Sequence, residues 1–261
     1  MSATGPVALV RRPGPRLADG LVTHIERRPV DPVLAERQWQ SYVEVLVDAG
    51  WDVVEVAPAD DCPDAVFVED ALVVVGDLAV VTRPGAPTRR AETAGAAAAA
   101  RALGLDLAAI GPPGTLDGGD VLQVGDTIHV GLGGRTDAAG IAALRDLVGP
   151  RGATVVEVPV RSVLHLKSAV TALPDGTVIG FPPLVDEPGR FPGLLAVAEP
   201  AGGHVVHLGG DRLLMASSCP ATTSQLRALG WEVTTVDIGE YEKLEGCVTC
   251  LSVRMGPAIS P

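Results

Sequence analysis

Ala71-Leu72-Val73-Val74-Val75-Gly76-Asp77-Leu78-Ala79-Val80-Val81-Thr82 sets two short apolar runs on either side of Gly76-Asp77. A Gly/Asp dipeptide between such runs is the strongest short-range sign of a β-hairpin, because these residues tolerate the backbone that matches strand twist. The pattern recurs three times. Asp120 to Val124 and Thr127 to Gly131 flank Gly125-Asp126; Val170 to Leu173 and Thr177 to Gly180 flank Pro174-Asp175-Gly176. His204 to Leu208 and Arg212 to Ala216 flank Gly209-Gly210-Asp211. The turn aspartates at 77, 126, 175 and 211 are 49, 49 and 36 residues apart.

Helical patterns follow three of the hairpins, in the alanine-rich stretch to Leu103, from Asp137 to Val148, and around Thr222 to Leu229. Regular periods of this size point to an array of similar units. Half-units remain at the two ends, Val7 to Val10 and Val248 to Val253, and pairing them would close a ring without loose edges. The expectation is an α/β fold, one closed domain over residues 1–261 built from five ββαβ-like modules. A separate amphipathic helix begins at Asp31-Pro32, carries Leu34, Trp39, Tyr42, Val43 and Leu46 on its apolar face, and ends at Gly50.

At 261 residues with 47% hydrophobic content the chain can bury a sizeable core, and disorder is excluded. No apolar run approaches the roughly 20 residues of a membrane-spanning helix. Lys and Arg number 20 against 32 Asp and Glu, for a net charge of −12. That field repels nucleic-acid backbones and anionic membranes and favours a small cationic partner. Val7 to Val10 is too short for the apolar part of a secretion signal, and four cysteines make no disulfide framework. A reducing cytoplasm is the expected location. Oligomeric state is left open, with a homodimer as one option.

Several residues have chemical potential. Cys247-Val248-Thr249-Cys250 is a CxxC. Strand-like residues follow it where a redox dithiol would open a helix, and no second CxxC offers further zinc ligands. Two buried thiols, or one nucleophile, are the readings left. His165 lies between two leucines just before the third hairpin. Asp64, Glu69 and Asp70 precede the first hairpin, and Asp117-Gly118-Gly119-Asp120 precedes the second. Paired glycines let a ligand approach the backbone. Carboxylates ahead of apolar strands demand a partner or a function. In a ring, these positions, His165 and Cys250 converge on one pocket. Arg83, Arg89 and Arg90 after the first of these hairpins, and Arg135 after the second, have the chemistry to clamp a carboxylate, with solvation of a helix start as the alternative reading.

Five motifs together resemble the dimethylarginine dimethylaminohydrolases of the guanidino-modifying superfamily: Pro63 to Asp70, Thr82 to Pro87, Thr115 to Leu122, Leu164 to Ser168, and Glu245 to Val253, with Ala35 to Gln38 in the first helix. The likeness spans nearly the whole chain and is weakest between Pro182 and Pro200. It implies a five-bladed pseudosymmetric α/β propeller of the pentein type, with no cofactor and no metal. It further implies hydrolysis of Nω-methylated L-arginine to L-citrulline and methylamine or dimethylamine. Cys250 is then the nucleophile, His165 the general acid and base, and Asp117 the carboxylate orienting His165. Glu69 and Asp70 hold the guanidinium beside Phe67, Arg89 and Arg135 take the carboxylate, and Asp64 takes the α-amino group. Glu245 lies near the substrate's amino end, and Leu21 and Val22 belong to a lid around residues 17–22.

Carboxylates and burial disfavour a thiolate, so the same residues predict a Cys250 that ionises when a guanidinium arrives. An arginine deiminase-like or other guanidino hydrolase, a non-catalytic binder of cationic amino acids, and a thiol redox protein are the rival readings.

Overall fold

The computed structural model describes residues 5–256; the outer limits of the expected domain, 1–4 and 257–261, lie outside the described residues. Its strands and helices, in order, are β1 (Val7–Val10), α1 (Pro32–Asp48) and β2 (Asp52–Glu55); β3 (Leu72–Val75), β4 (Leu78–Val81), α2 (Thr93–Ala102) and β5 (Asp106–Ala109). Then come β6 (Val121–Val124), β7 (Thr127–Leu132), α3 (Ala138–Val148) and β8 (Thr154–Pro159), followed by β9 (Val170–Ala172), β10 (Val178–Gly180) and β11 (Leu195–Ala196). The chain finishes with β12 (Val206–Gly209), β13 (Arg212–Ala216), α4 (Pro220–Ala228), β14 (Glu232–Val236), the short α5 (Gly239–Glu242) and β15 (Ser252–Met255).

These strands form five three-stranded sheets, each an antiparallel pair with a third strand added parallel. In the first hairpin Val75 faces Leu78 across Gly76-Asp77, and in the second Val124 faces Thr127 across Gly125-Asp126. Gly76 and Gly125 have φ of 60° and 56°, the left-handed backbone these tight turns need. The fifth sheet joins the two ends. Val7 pairs with Met255 and Val10 with Ser252 in antiparallel register, while β1 runs parallel to β2 after α1. The ring closes as a five-bladed α/β propeller.

Local chemistry explains the helices. Asp31 caps α1 by accepting bonds from the amides of Val33 and Leu34, and Pro32 starts it with a preset φ. Asp137 caps α3 through the amide of Gly140. Ala96 and Ala100 bury one face of α2 completely. The third blade has no helix between β10 and β11. Pro182, Pro183, Pro188 and Pro192 break that stretch into 3-10 turns, since each lacks an amide donor and clashes with a preceding helical turn.

Two strand expectations shift. The final strand begins at Ser252, because Cys250 N–H donates to Cys247 O and turns residues 247–250 inward instead. β12 begins at Val206 and carries a bulge between His207 and Gly209.

Backbone turns lock the blades around the axis. Glu69 N–H donates to Cys250 O at 3.2 Å. Gly119 N–H donates to Asp70 Oδ1 and Leu166 N–H to Asp120 Oδ1, each at 2.9 Å. The four turns that carry the candidate residues are therefore consecutive links of one chain of contacts.

Candidate active site

Gly118 and Gly119 show how tightly these turns meet. A Cβ on Gly118 would collide with the carbonyl oxygen of Glu69, and one on Gly119 would lie 2.8 Å from the His165 ring. The close approach expected of a ligand at these glycines is made instead by a neighbouring turn and by the imidazole. This approach seats His165, only 2% exposed, among three carboxylates.

His165 Nδ1 lies 3.3 Å from Asp120 Oδ2, while Nε2 lies 3.6 Å from Asp70 Oδ1 and 3.9 Å from Asp117 Oδ2. The group orienting the ring through Nδ1 is thus Asp120, and Asp117 faces the other nitrogen. Asp120 is itself fixed by the Thr136 hydroxyl at 2.6 Å and by Leu166 N–H. Asp117 accepts from Gly85 N–H through Oδ1. Burial alone would lower the imidazole pKa. The charges of Asp70, Asp120 and Asp117 outweigh it and push His165 up to about 9. Burial opposes ionisation of Asp70 as well, yet His165, Arg89 and the Gly119 amide hold it well below the usual carboxylate range. Asp117 is raised, because burial there prevails over the attraction of His165.

A narrow cleft opens onto this group. Of the expected residues, Leu21, Asp64, Phe67, Asp70, Arg89, Arg135, His165, Glu245 and Cys250 line it. Glu69, Asp117 and Val22 do not. Glu69 pairs with Lys167 at 2.7 Å and lies 3.7 Å from Arg254, and Val22 packs against the core around α1. Asp117 sits behind the wall, 3.6 Å from Arg135 Nη1.

The two arginines differ. Every nitrogen of Arg89 is engaged, by Asp70, Glu92 and the carbonyls of Asp64 and Phe67. Arg135 Nη1 has no hydrogen-bond partner among the described residues, and neither has Asp117 Oδ2 or His165 Nε2. Asp64 takes Leu21 N–H on Oδ1, and burial raises its carboxyl. Glu245, with a left-handed φ of 62°, spends its carboxylate on the amides of Thr23 and His24 and on the Thr23 hydroxyl.

Cys250 is 6% exposed at the cavity, and its sulfur lies 3.2 Å from that of Cys247. The contact with Cys247, then burial, then the charges of Cys247, Glu69 and Asp70 push the Cys250 thiol well above its ordinary range. The same contact favours ionisation of Cys247, helped by the Thr249 hydroxyl. Asp70, Asp117 and His165 also offer three ligand-type atoms within 4.8 Å of one another.

Among the described residues no helix is long and apolar enough to cross a membrane. No family model matches the chain. It is 64% identical over 248 residues to the N(G),N(G)-dimethylarginine dimethylaminohydrolase of Streptomyces coelicolor, spanning 95% of this chain and 96% of that protein. The chain belongs to the dimethylarginine dimethylaminohydrolase family. The dimethylarginine dimethylaminohydrolase of Pseudomonas aeruginosa is 30% identical over 94% of this chain and 98% of its own length. A solved dimethylarginine dimethylaminohydrolase structure from that organism, a cysteine-to-serine mutant complexed with citrulline, superposes with a TM-score of 0.89 at 29% identity, covering 96% of this chain and 99% of that one.

Leu164, Leu244 and Gly246 complete the wall and were not foreseen from the sequence. Gly246 admits the Phe67 ring, which any side chain there would strike. The residues on either side of the glycine, Glu245 and Cys247, give no local sign of that contact.

Proposed function

We propose that the protein hydrolyses Nω-methylated L-arginine to L-citrulline and methylamine or dimethylamine, as a hydrolase of C–N bonds in linear amidines. The observation that carries this reading is the meeting of Asp70, Arg135 with an unpartnered Nη1, His165 with an unpartnered Nε2, and the Cys250 thiol on the wall of one cavity. Buried polar atoms normally find partners, so atoms left open there call for a polar ligand. The chemistry of the wall fits an amino acid with a cationic end. Asp70, with Asp117 behind it, attracts the guanidinium beside Phe67; Arg135 takes the carboxylate and Asp64 the α-ammonium. Glu69 adds negative charge from behind the wall. Arg89 fixes Asp70 in place. Leu21 and Val22 belong to the covering segment, and Glu245 holds that segment through Thr23 and His24.

The guanidinium supplies the positive charge that Cys250 lacks at rest, and the thiol ionises as it binds. The sulfur attacks the guanidinium carbon and an S–C bond forms. His165, cationic at neutral pH, gives the Nε2 proton to the departing amine as the C–N bond breaks. Neutral His165 then takes a proton from water, and the hydroxide attacks the thiouronium carbon. The C–S bond breaks and citrulline leaves. The work is done in one domain of a cytoplasmic protein whose four thiols are free.

The test is incubation with mono- and dimethylarginine, arginine and agmatine, reading citrulline, carbamoylputrescine and the released amine. Citrulline with methylamine or dimethylamine is expected, with no product from Cys250→Ser of unchanged circular dichroism. Ammonia release from arginine at a higher kcat/KM would make it a deiminase. Turnover surviving in Cys250→Ser would end the covalent reading.

A further inference from the structure

Cys247 is a buried thiol for which hydrolysis has no use, yet it is held against the sulfur that does the chemistry. The two sulfurs are 3.2 Å apart, and the bond from Cys250 N–H to Cys247 O closes the backbone into a four-residue turn. A turn of that kind keeps its first and last Cα atoms within about 7 Å, which is inside the reach of a disulfide. The Cys250 sulfur faces the cavity, so a small oxidant that enters meets it first. Cys247 does not line the cavity and is 4% exposed. Its sulfur touches the Thr249 hydroxyl and Cys250. One thiol open to the cavity with a second directly behind it is the arrangement of a peroxidatic and a resolving cysteine.

We propose that Cys247 is a resolving thiol, and that peroxide-class oxidants convert the pair to a reversible Cys247–Cys250 disulfide. The inference rests on the reading of Cys250 as nucleophile for its effect on turnover, but not for the bond itself. In the first step the Cys250 thiol gives its proton to solvent and the sulfur attacks one peroxide oxygen, whose departing hydroxide takes a proton back. The O–O bond breaks, a sulfenic acid forms and one water leaves. In the second step the Cys247 sulfur attacks the Cys250 sulfur. The S–S bond forms, the S–O bond breaks, and the departing hydroxide leaves as a second water with the Cys247 proton. The protein loses two electrons and two hydrogens to one hydrogen peroxide. A thiol reductant reverses the exchange. While oxidised, the protein has no free sulfur for a guanidinium. It is also spared the further oxidation of Cys250 to sulfinic acid, which is not reversed by thiols.

The experiment treats the reduced full-length protein with a few equivalents of hydrogen peroxide. Intact mass, the alkylated tryptic peptide 244–254, and activity before and after dithiothreitol are then measured. Wild type is expected to lose two hydrogens within that peptide, to resist alkylation there until reduced, and to lose and regain turnover in step with the bond. Cys247→Ala is expected to gain oxygen at Cys250 and to recover a smaller share of its own starting activity. Oxygen gained at Cys250 in wild type with no hydrogen loss in the peptide would overturn the proposal. So would equal recovery in wild type and Cys247→Ala. A disulfide seen by mass while turnover continues would leave the bond standing and instead refute Cys250 as nucleophile.

Discussion

Arg89 and Arg135 follow successive hairpins and are both nearly buried, yet they stand in opposite states. Arg89 is fully saturated, by two carboxylates and two carbonyls. Arg135 Nη1 is ion-paired with Asp117 at 3.6 Å but has no hydrogen-bond partner among the described residues. A buried cation surrounded by its own partners is part of the frame, because its desolvation is already offset within the protein. A buried cation with an open donor leaves that donor for a ligand. The contrast teaches that residue type and place in the repeat do not separate scaffold from recognition; the filling of each donor does.

The largest effect expected from this contrast is on stability. Arg89→Ala leaves Asp70 and Glu92 buried without their cation and is expected to cost about 3–5 kcal/mol, read from the urea midpoint. A variant that melts with wild type would break the comparison from the scaffold side. Next in size is recognition. Arg135→Ala leaves Asp117 without its ion-pair partner and is expected to lose less stability than Arg89→Ala, while raising KM for methylarginine about 10- to 100-fold, the worth of a charged hydrogen bond. Substrates lacking the α-carboxylate should show no such penalty, and an equal penalty for both would place Arg135 elsewhere in the reaction.

The smallest effect is on pH. With His165 at about 9, kcat/KM is expected to fall above that pH as the acid loses its proton. Arg135→Ala removes a cation near Asp117, so this limb should move upward by less than about one unit. An unmoved or lowered limb would separate Arg135 from the imidazole's field. The sign for stability follows from the same shift. The folded pKa is raised above the ordinary 6.5, so the stabilisation is complete below that value and disappears as pH rises through about 9.

Much of the fold was legible because its signals are local. Gly-Asp turns and the helix starts at Asp31 and Asp137 act within a few residues of where they stand. The closing pair of end strands was legible from the leftover half-units. The site was legible as a set of residues, but not in its internal wiring. Asp117 and Asp120 share one motif, and only the packing of three turns decides which of them reaches Nδ1 of His165. The commitment of Arg89 had a sign that went unread. Glu92 follows it by three residues, a spacing that sets the pair side by side on a helical turn.

The seam between β15 and β1 has a consequence for biosynthesis. The turn that carries Cys250 leads directly into β15, which pairs antiparallel with β1, the first strand among the described residues. The turns that carry the acids and the imidazole all precede Cys250 in the chain, so the thiol is the last of these groups to be supplied. Closing the sheet of β15, β1 and β2 brings that last group to the others.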